Sequence, residues 1–270
     1  LEAACTAAEV GCNTFLLEKS NELGGLASLI SKIPAKNRLA DFPHYLMHRA
    51  EQLENLYIFT NTEGTPENIR KFHPNIIVSS TGSAPLLPPI AGLKDRIDNE
   101  DYNIYSILGM INHINDFPKD LEGKKVVVVG GGAVGLDVVE FFADRNADIS
   151  IVEMMDQIGR DLDPVSKNDT KAMMKKHNVH QLTKTALLEV KDSSFLVKGD
   201  GEPYELPFEY GFVCLGMRAQ GQLYQNLTEE FSSEDVEIMN IGDSQRARRI
   251  IDGTQEGRNI LTILEQRGYL

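Results

Sequence analysis

The chain has 270 residues, enough for about two domains of ordinary size and for a sizeable buried core. Its 41% hydrophobic and 25% charged residues are typical of a globular protein, and no apolar run reaches the ~18 residues of a membrane span. With 27 basic against 40 acidic residues the net charge is −13, a surface that repels nucleic-acid backbones. Only Arg246, Arg248 and Arg249 approach a basic patch, so no nucleic-acid partner is expected. The N-terminus lacks the basic-then-apolar order of a secretory signal, and the chain reads as cytoplasmic. Cys5, Cys12 and Cys214 form no C-x-x-C and are read as small buried apolar residues, with neither a redox dithiol nor a metal cluster.

In chain order, the first 18 residues suggest a helix and then a strand, Thr14 to Leu17, ending at Glu18. Ala40 to Leu53 reads as a helix; His44 and His48 share its face but, without further ligands, are read as surface histidines. A short strand is expected over Ile58 to Asn61, and a short helix over Pro66 to Phe72. Ile76 to Ser79 is a strand running into Ser80-Thr81-Gly82 and a Pro-rich stretch, 85–89. An Asp- and Asn-rich linker is expected from about Leu93 to Ile104.

Val126 to Val129 is a β-branched run of the kind buried on both faces of a parallel sheet. It leads into Gly130-x-Gly132-x-x-Gly135, then a helix from Leu136 to about Arg145, and a second strand, Ile149 to Val152, ending at Glu153. Each glycine has a mechanical reason. Gly130 permits the tight turn, Gly132 lets backbone approach a pyrophosphate, and Gly135 lets helix and strand pack closely. With Ala133 and Val134, the helix start offers free N–H groups and a positive dipole end to phosphates, a local attraction independent of net charge. Glu153 lies 18 residues after Gly135, where a carboxylate reaches a ribose diol. The unit therefore reads as a dinucleotide site. Glu153 would repel a 2′-phosphate and Met154 and Met155 come next, so NADH is favoured over NADPH.

After Glu153 a helix is expected to about Lys176, then short strands punctuated by Gly199-Asp200-Gly201, a hairpin turn. The strand Phe212 to Leu215 runs into Gly216, matching the strand that ends at Gly82. Val236 to Ile241 is a strand stopping at Gly242-Asp243, and a final helix runs from about Gly253 to Gln266.

The start of the chain repeats the pattern of residues that begins after Gly135. When Leu1 is set against Leu136, Glu18 falls on Glu153 after 17 steps and Gly24 on Gly159, without a gap. The residue before Leu1 would then be the third glycine of another fingerprint. Leu1 is not a natural initiator, so the chain is expected to begin inside a larger polypeptide.

On these motifs the chain resembles the two-dinucleotide flavoprotein reductases. It is most similar to the C-terminal FAD/NAD(P)-binding region of the 2,4-dienoyl-CoA reductase and trimethylamine dehydrogenase family, in which an Old Yellow Enzyme type barrel comes first. The resemblance rests on Leu1-Glu2-Ala3-Ala4, Leu17-Glu18-Lys19, Leu23-Gly24-Gly25, Ser80-Thr81-Gly82, the glycine loop, Ile241-Gly242-Asp243 and the tail from Arg248 to Gly257. It implies an α/β fold of two Rossmann-like domains, the second inserted into the first. The discontinuous FAD domain would be 1–98 with 224–270, and the NAD(P) domain 105–223. Glu18 and Lys19 would lie at the FAD ribose, Gly24 and Gly25 along the cofactor, and Asp243 near its ribityl-pyrophosphate section. NADH would reduce FAD, and electrons would pass through an iron–sulfur cluster to FMN in a covalently preceding barrel. Without its own first glycine loop, FAD lacks its main pyrophosphate anchor here. No side chain need act as acid or base, so binding residues and no catalytic ones are assigned. Two other readings stay open: a structural module holding ADP without redox activity, and a free-standing ferredoxin- or quinone-linked reductase.

Overall fold

The computed structural model describes residues 1–270. The chain enters through α1 (Glu2–Glu9), β1 (Thr14–Leu17), α2 (Gly25–Ile30), α3 (Asp41–Glu51), β2 (Leu56–Phe59), α4 (Pro66–Arg70) and β3 (Ile76–Ser79). It continues through β4 (Ser83–Pro85), α5 (Leu93–Arg96), β5 (Ile104–Tyr105), α6 (Ile107–Asn112), β6 (Lys125–Val129), α7 (Ala133–Ala143) and β7 (Asp148–Val152). Then come α8 (Pro164–Lys176), β8 (His180–Leu182), β9 (Ala186–Val190), β10 (Ser194–Lys198), β11 (Tyr204–Pro207), β12 (Tyr210–Val213) and β13 (Met217–Ala219). The chain closes with α9 (Gln222–Glu230), β14 (Glu237–Asn240), α10 (Ile250–Arg258) and α11 (Ile260–Gln266). No helix is long and apolar enough to cross a membrane.

Two compact units result: one of Leu1–Lys32, Lys36–Ala84 and Arg218–Leu270, the other of Ile33–Ala35 and Pro85–Met217. The boundary at 84/85 lies earlier than the expected 98, because residues 93–104 are not a linker. Leu93 is fully buried in a core with Val127 and Phe195. The Asp98 carboxylate accepts hydrogen bonds from the Ser106 N–H (2.7 Å) and hydroxyl (2.6 Å), and Ser106 caps α6. The Asp and Asn residues supply turn and cap chemistry there.

The second unit holds a five-stranded parallel sheet in the order β5-β12-β6-β7-β8. Val126, Val127, Val128 and Val129 of its central strand are all buried, as a strand covered on both faces requires. Val127 and Val129 join the core shared with Phe195 and Phe208 of the β9–β11 side. Val128 faces α7, whose Phe142 packs against Phe212 at 4.7 Å between ring centroids. Burial of each such side chain stabilises by about 1.5–3 kcal/mol, so the sheet centre is the firmest part of this unit.

The first unit has two parallel strand pairs, β1 with β2 and β3 with β14. α1 and α3 cover the first through Cys5, Ala8, Ala50 and Leu56. α4 and α9 accompany the second, with Leu227 and Phe231 packed on Ile77. Glu2, on the buried side of α1, accepts from Arg49 Nη1 of α3 at 3.0 Å and Arg258 Nε of α10 at 2.8 Å.

Several expected bounds shift. β2 occupies 56–59 rather than 58–61, β12 occupies 210–213 rather than 212–215, and α7 begins at Ala133, three residues before Leu136. No helix starts directly after Glu153: residues 153–163 form a loop and α8 starts at Pro164, where Asp163 accepts from the Val165 and Ser166 N–H groups. The expected last helix is two, divided at Asn259, which ends α10 and begins α11.

Candidate functional site: the glycine loop and the carboxyl ends of the strands

In a parallel sheet the loops beyond the strand carboxyl ends form the natural ligand crevice. The sequence-derived residues of the second unit meet there: the glycine loop comes after β6, Glu153 after β7, and Gly216 lies three residues beyond β12. Gly130 has φ +109°, and a Cβ built on it would stand 2.1 Å from the Cys214 carbonyl oxygen. No other residue fits that turn. A Cβ on Gly135 would stand 1.9 Å from the Gly130 carbonyl oxygen, so helix and loop touch backbone to backbone. Gly132 is different. It has ordinary extended backbone at the N-cap of α7, with no side-chain cap, and nothing closer than 3.9 Å to a built Cβ. The two outer glycines serve packing; the middle one leaves open space before the free N–H groups of a helix start. Ala133 is exposed and Val134 partly buried, at that same mouth. Such a cradle fits a pyrophosphate.

Glu153 is held at the loop by two hydrogen bonds. Its Oε2 accepts from the Gly131 N–H at 2.7 Å and its Oε1 from the Met155 N–H at 2.8 Å. The Gly131 carbonyl in turn accepts from the Gly159 N–H at 2.7 Å. The segment after β7 is thereby pinned back onto the glycine loop, which the sequence reading of a continuous helix missed. The signal available was Gly159 with Asp163-Pro164 beyond it, a left-handed turn and a helix N-cap.

In the first unit Glu18 stands at the end of β1 as Glu153 stands at the end of β7. Its Oε1 accepts from the Ser20 N–H and hydroxyl, both at 2.8 Å, the same two-residue reach as Glu153 to Met155. Lys19 is exposed beside it. Gly24 has φ +102° and caps α2, with Ser28 and Pro43 leaving no space for a Cβ, whereas Gly25 opens onto nothing within 4 Å. Beyond β3, the Thr81 hydroxyl donates to the Gln220 carbonyl, and Gly82 takes φ +73° with open space around it. Beyond β14, Asp243 accepts from the Ser83 hydroxyl and the Arg248 N–H, each at 3.0 Å. The Gly242 N–H donates to Glu256 at 2.6 Å, and Arg248 pairs with Glu256. Thr81, Gly82, Gly242 and Asp243 thus lie around one set of bonded turns. Ser83 was not legible as its member, since nothing in its sequence context marks a buried serine. Gly216 has φ +105° and a Cβ built on it would meet nothing within 4 Å, and its carbonyl accepts from the Leu86 N–H at 2.9 Å.

The three cysteines are free; Cys5 and Cys214 are buried. Burial pushes the Cys214 thiol up to about 12. His48 lies near Glu51 at 3.5 Å, and no group of three or more His, Cys, Asp or Glu converges as a metal site would require.

A family model described as pyridine nucleotide-disulphide oxidoreductase matches residues 52–239. The chain belongs to that family. As a pyridine nucleotide-disulphide oxidoreductase it has the α/β, FAD/NAD(P)-binding architecture, that of an NAD(P)H-dependent flavoprotein oxidoreductase domain. It is 26% identical over 95% of its length to an NADH oxidase of Thermoanaerobacter brockii, covering 38% of that protein. It is 27% identical over 96% of its length to a metal reductase of Desulforamulus reducens, covering 41% of it. Among solved structures, a 2-naphthoyl-CoA reductase complex matches 96% of the chain with TM-score 0.80 and 23% identity, over 37% of its own length. A histamine dehydrogenase from Rhizobium sp. 4-9 matches with the same TM-score at 16% identity, over 39% of its length. The chain spans about two fifths of the length of these two curated relatives.

Proposed function

We propose that this chain is the nucleotide-binding portion of an NADH:flavin oxidoreductase of the 2,4-dienoyl-CoA reductase and trimethylamine dehydrogenase type. In it, residues 1–84 and 218–270 would hold FAD, and residues 85–217 would hold NADH. The observation that carries the reading is the complete cradle at Gly130–Gly135, with the Glu153 carboxylate bonded to it at 2.7 Å. Gly132 and the free N–H groups of α7 would receive the pyrophosphate, and Glu153 would exchange its Gly131 contact for the adenosine ribose hydroxyls. Glu153 would also repel a 2′-phosphate, which favours NADH over NADPH.

When bound, the nicotinamide supplies a hydride that the flavin N5 accepts. The protein's part is to position both cofactors and to exclude water, and no side chain here is assigned a proton to move. In the first unit Glu18, with Lys19, would bind the FAD ribose, Gly24 and Gly25 would flank the cofactor, and Thr81, Gly82 and Asp243 would meet its ribityl-pyrophosphate section. Gly216 would admit the nicotinamide end.

The strand order supports an upstream glycine loop. The second unit reads β5-β12-β6-β7-β8, while the first has β14-β3 and β1-β2 as separate pairs. The counterpart of β6 is the strand that would join β3 to β1, with a glycine loop leading into α1. The relatives' greater length supports a further region in the whole protein, assigned here to a covalently attached FMN and iron–sulfur barrel. The names NADH oxidase and metal reductase favour redox work over mere nucleotide holding.

The test is an absorption spectrum of the chain reconstituted with FAD, then treated anaerobically with NADH. A yellow protein bleached by NADH is expected. A colourless protein that takes up no FAD, with or without an upstream extension carrying a strand and glycine loop, overturns the reading.

A further inference from the structure

The loop between Glu153 and α8 carries a charge that the proposed binding geometry does not use. Gly159 is tied to the glycine loop through its N–H, and Ile158 is buried beside Gly131. Asp163, four residues on, is fixed as the N-cap of α8. Asp161 is therefore held between two anchored residues. Its carboxylate is exposed, and it forms neither a hydrogen bond nor an ion pair, even with the adjacent Arg160. A methyl group built on Gly132 would stand 3.9 and 4.0 Å from its two oxygens, the nearest atoms beyond the adjoining backbone. An unpartnered carboxylate thus faces the one glycine whose open side admits phosphate.

A free carboxylate at a helix start is attracted by the N–H groups there, and any phosphate entering must do so against its charge. We propose that Asp161 is an affinity-tuning residue of the nucleotide site, weakening ligands that bring a pyrophosphate to the start of α7. This rests on the reading that a nicotinamide dinucleotide binds at Gly130–Gly135. Glu153 acts at the ribose, through its place at the strand end; Asp161 acts at the mouth of α7, so the two contributions are separable. The cost to the cofactor is weaker binding, which suits a dinucleotide that must leave after giving up its hydride.

The experiment is calorimetric titration of the wild-type chain, Asp161→Asn and Asp161→Lys with NADH, with NADPH and with adenosine, at low and high salt. Asp161→Asn is expected to tighten NADH and NADPH alike, about threefold at low salt, with adenosine unchanged and the gain shrinking at about 0.5 M salt. Asp161→Lys should extend the gain for both dinucleotides. Thermal unfolding of each variant should match wild type, since the side chain is exposed and unpartnered. Weaker NADH binding by Asp161→Asn would mean that the carboxylate accepts a ribose hydroxyl, and overturns the proposal. So does an equal gain for adenosine. Absence of saturable NADH binding by the wild-type chain removes the underlying reading and the proposal together; binding that Asp161→Asn leaves unaltered removes the proposal alone.

Discussion

Gly135→Ala separates two opposed expectations. Gly135 lies in the first turn of α7, and helix propensity alone favours alanine there by about 1 kcal/mol. Packing says the reverse. The new Cβ would lie 1.9 Å from the Gly130 carbonyl oxygen and 3.0 Å from its carbon, both backbone atoms of a turn itself fixed against Cys214. Ordinary contact needs about 3.5 Å, so α7 must withdraw by more than about an ångström from the loop. That movement would loosen Val138, Val139 and Phe142, each fully buried. Overpacking against backbone costs about 3 kcal/mol, enough to lower the melting temperature by roughly 6–12 °C in a domain of this size. Gly132→Ala is the control. Its φ of −79° suits any residue and its Cβ would meet nothing closer than 3.9 Å, so stability should fall by about 1 kcal/mol or less. Thermal unfolding followed by circular dichroism compares the two. A Gly135→Ala variant as stable as Gly132→Ala, or more stable than wild type, would refute the packing role of Gly135.

Glu153→Arg should reverse the cofactor preference, weakening NADH and improving NADPH; unchanged preference in parallel titrations would count against the ribose role of Glu153. The Glu2 cluster predicts acid lability. Burial alone would raise Glu2, but hydrogen bonds from Arg258 and Arg49 outweigh it and hold the carboxyl below its ordinary range. A folded value below the unfolded one stabilises above about pH 4.5, and that stability is lost as pH falls through the folded value. Glu2→Gln should therefore cost about 2 kcal/mol at pH 7 and much less at pH 3, by chemical denaturation. Cys214, raised by burial, should resist iodoacetamide in the native state, as should Cys5, leaving Cys12 as the site of slow labelling by mass spectrometry.

The second unit's centre was legible because its signals are local. A run of valines, a spaced set of glycines and an acid at a strand end each have one structural solution, and β6, α7 and β7 realise them. The two halves also share a carboxylate that accepts the N–H two residues on, Glu18 from Ser20 and Glu153 from Met155. That likeness was visible as a gapless register. What escaped depended on chain reversal. The stretch after Glu153 carries enough helix-forming residues to read as one helix, yet Gly159 and Pro164 break it so that it returns to the glycine loop. The stretch 93–104 looks like a linker by composition. Its Asp98 and Asn99 instead make turns, and Leu93 is a core residue only because Val127, Phe195 and Val197, distant in sequence, surround it. Neither Asp161 beside Gly132 nor Ser83 beside Asp243 has a sequence signal; only the folded loops bring them together.

The central claim is that a nicotinamide dinucleotide sits on the loop from Gly130 to Gly135. Amide chemical shifts in the isotope-labelled chain, titrated with NADH, test it most directly. Saturable shifts of Gly131, Gly132 and Ala133, with Met155 moving alongside as Glu153 turns to the ribose, are predicted. Shifts confined to other residues, with those amides unmoved at saturating NADH, would contradict it.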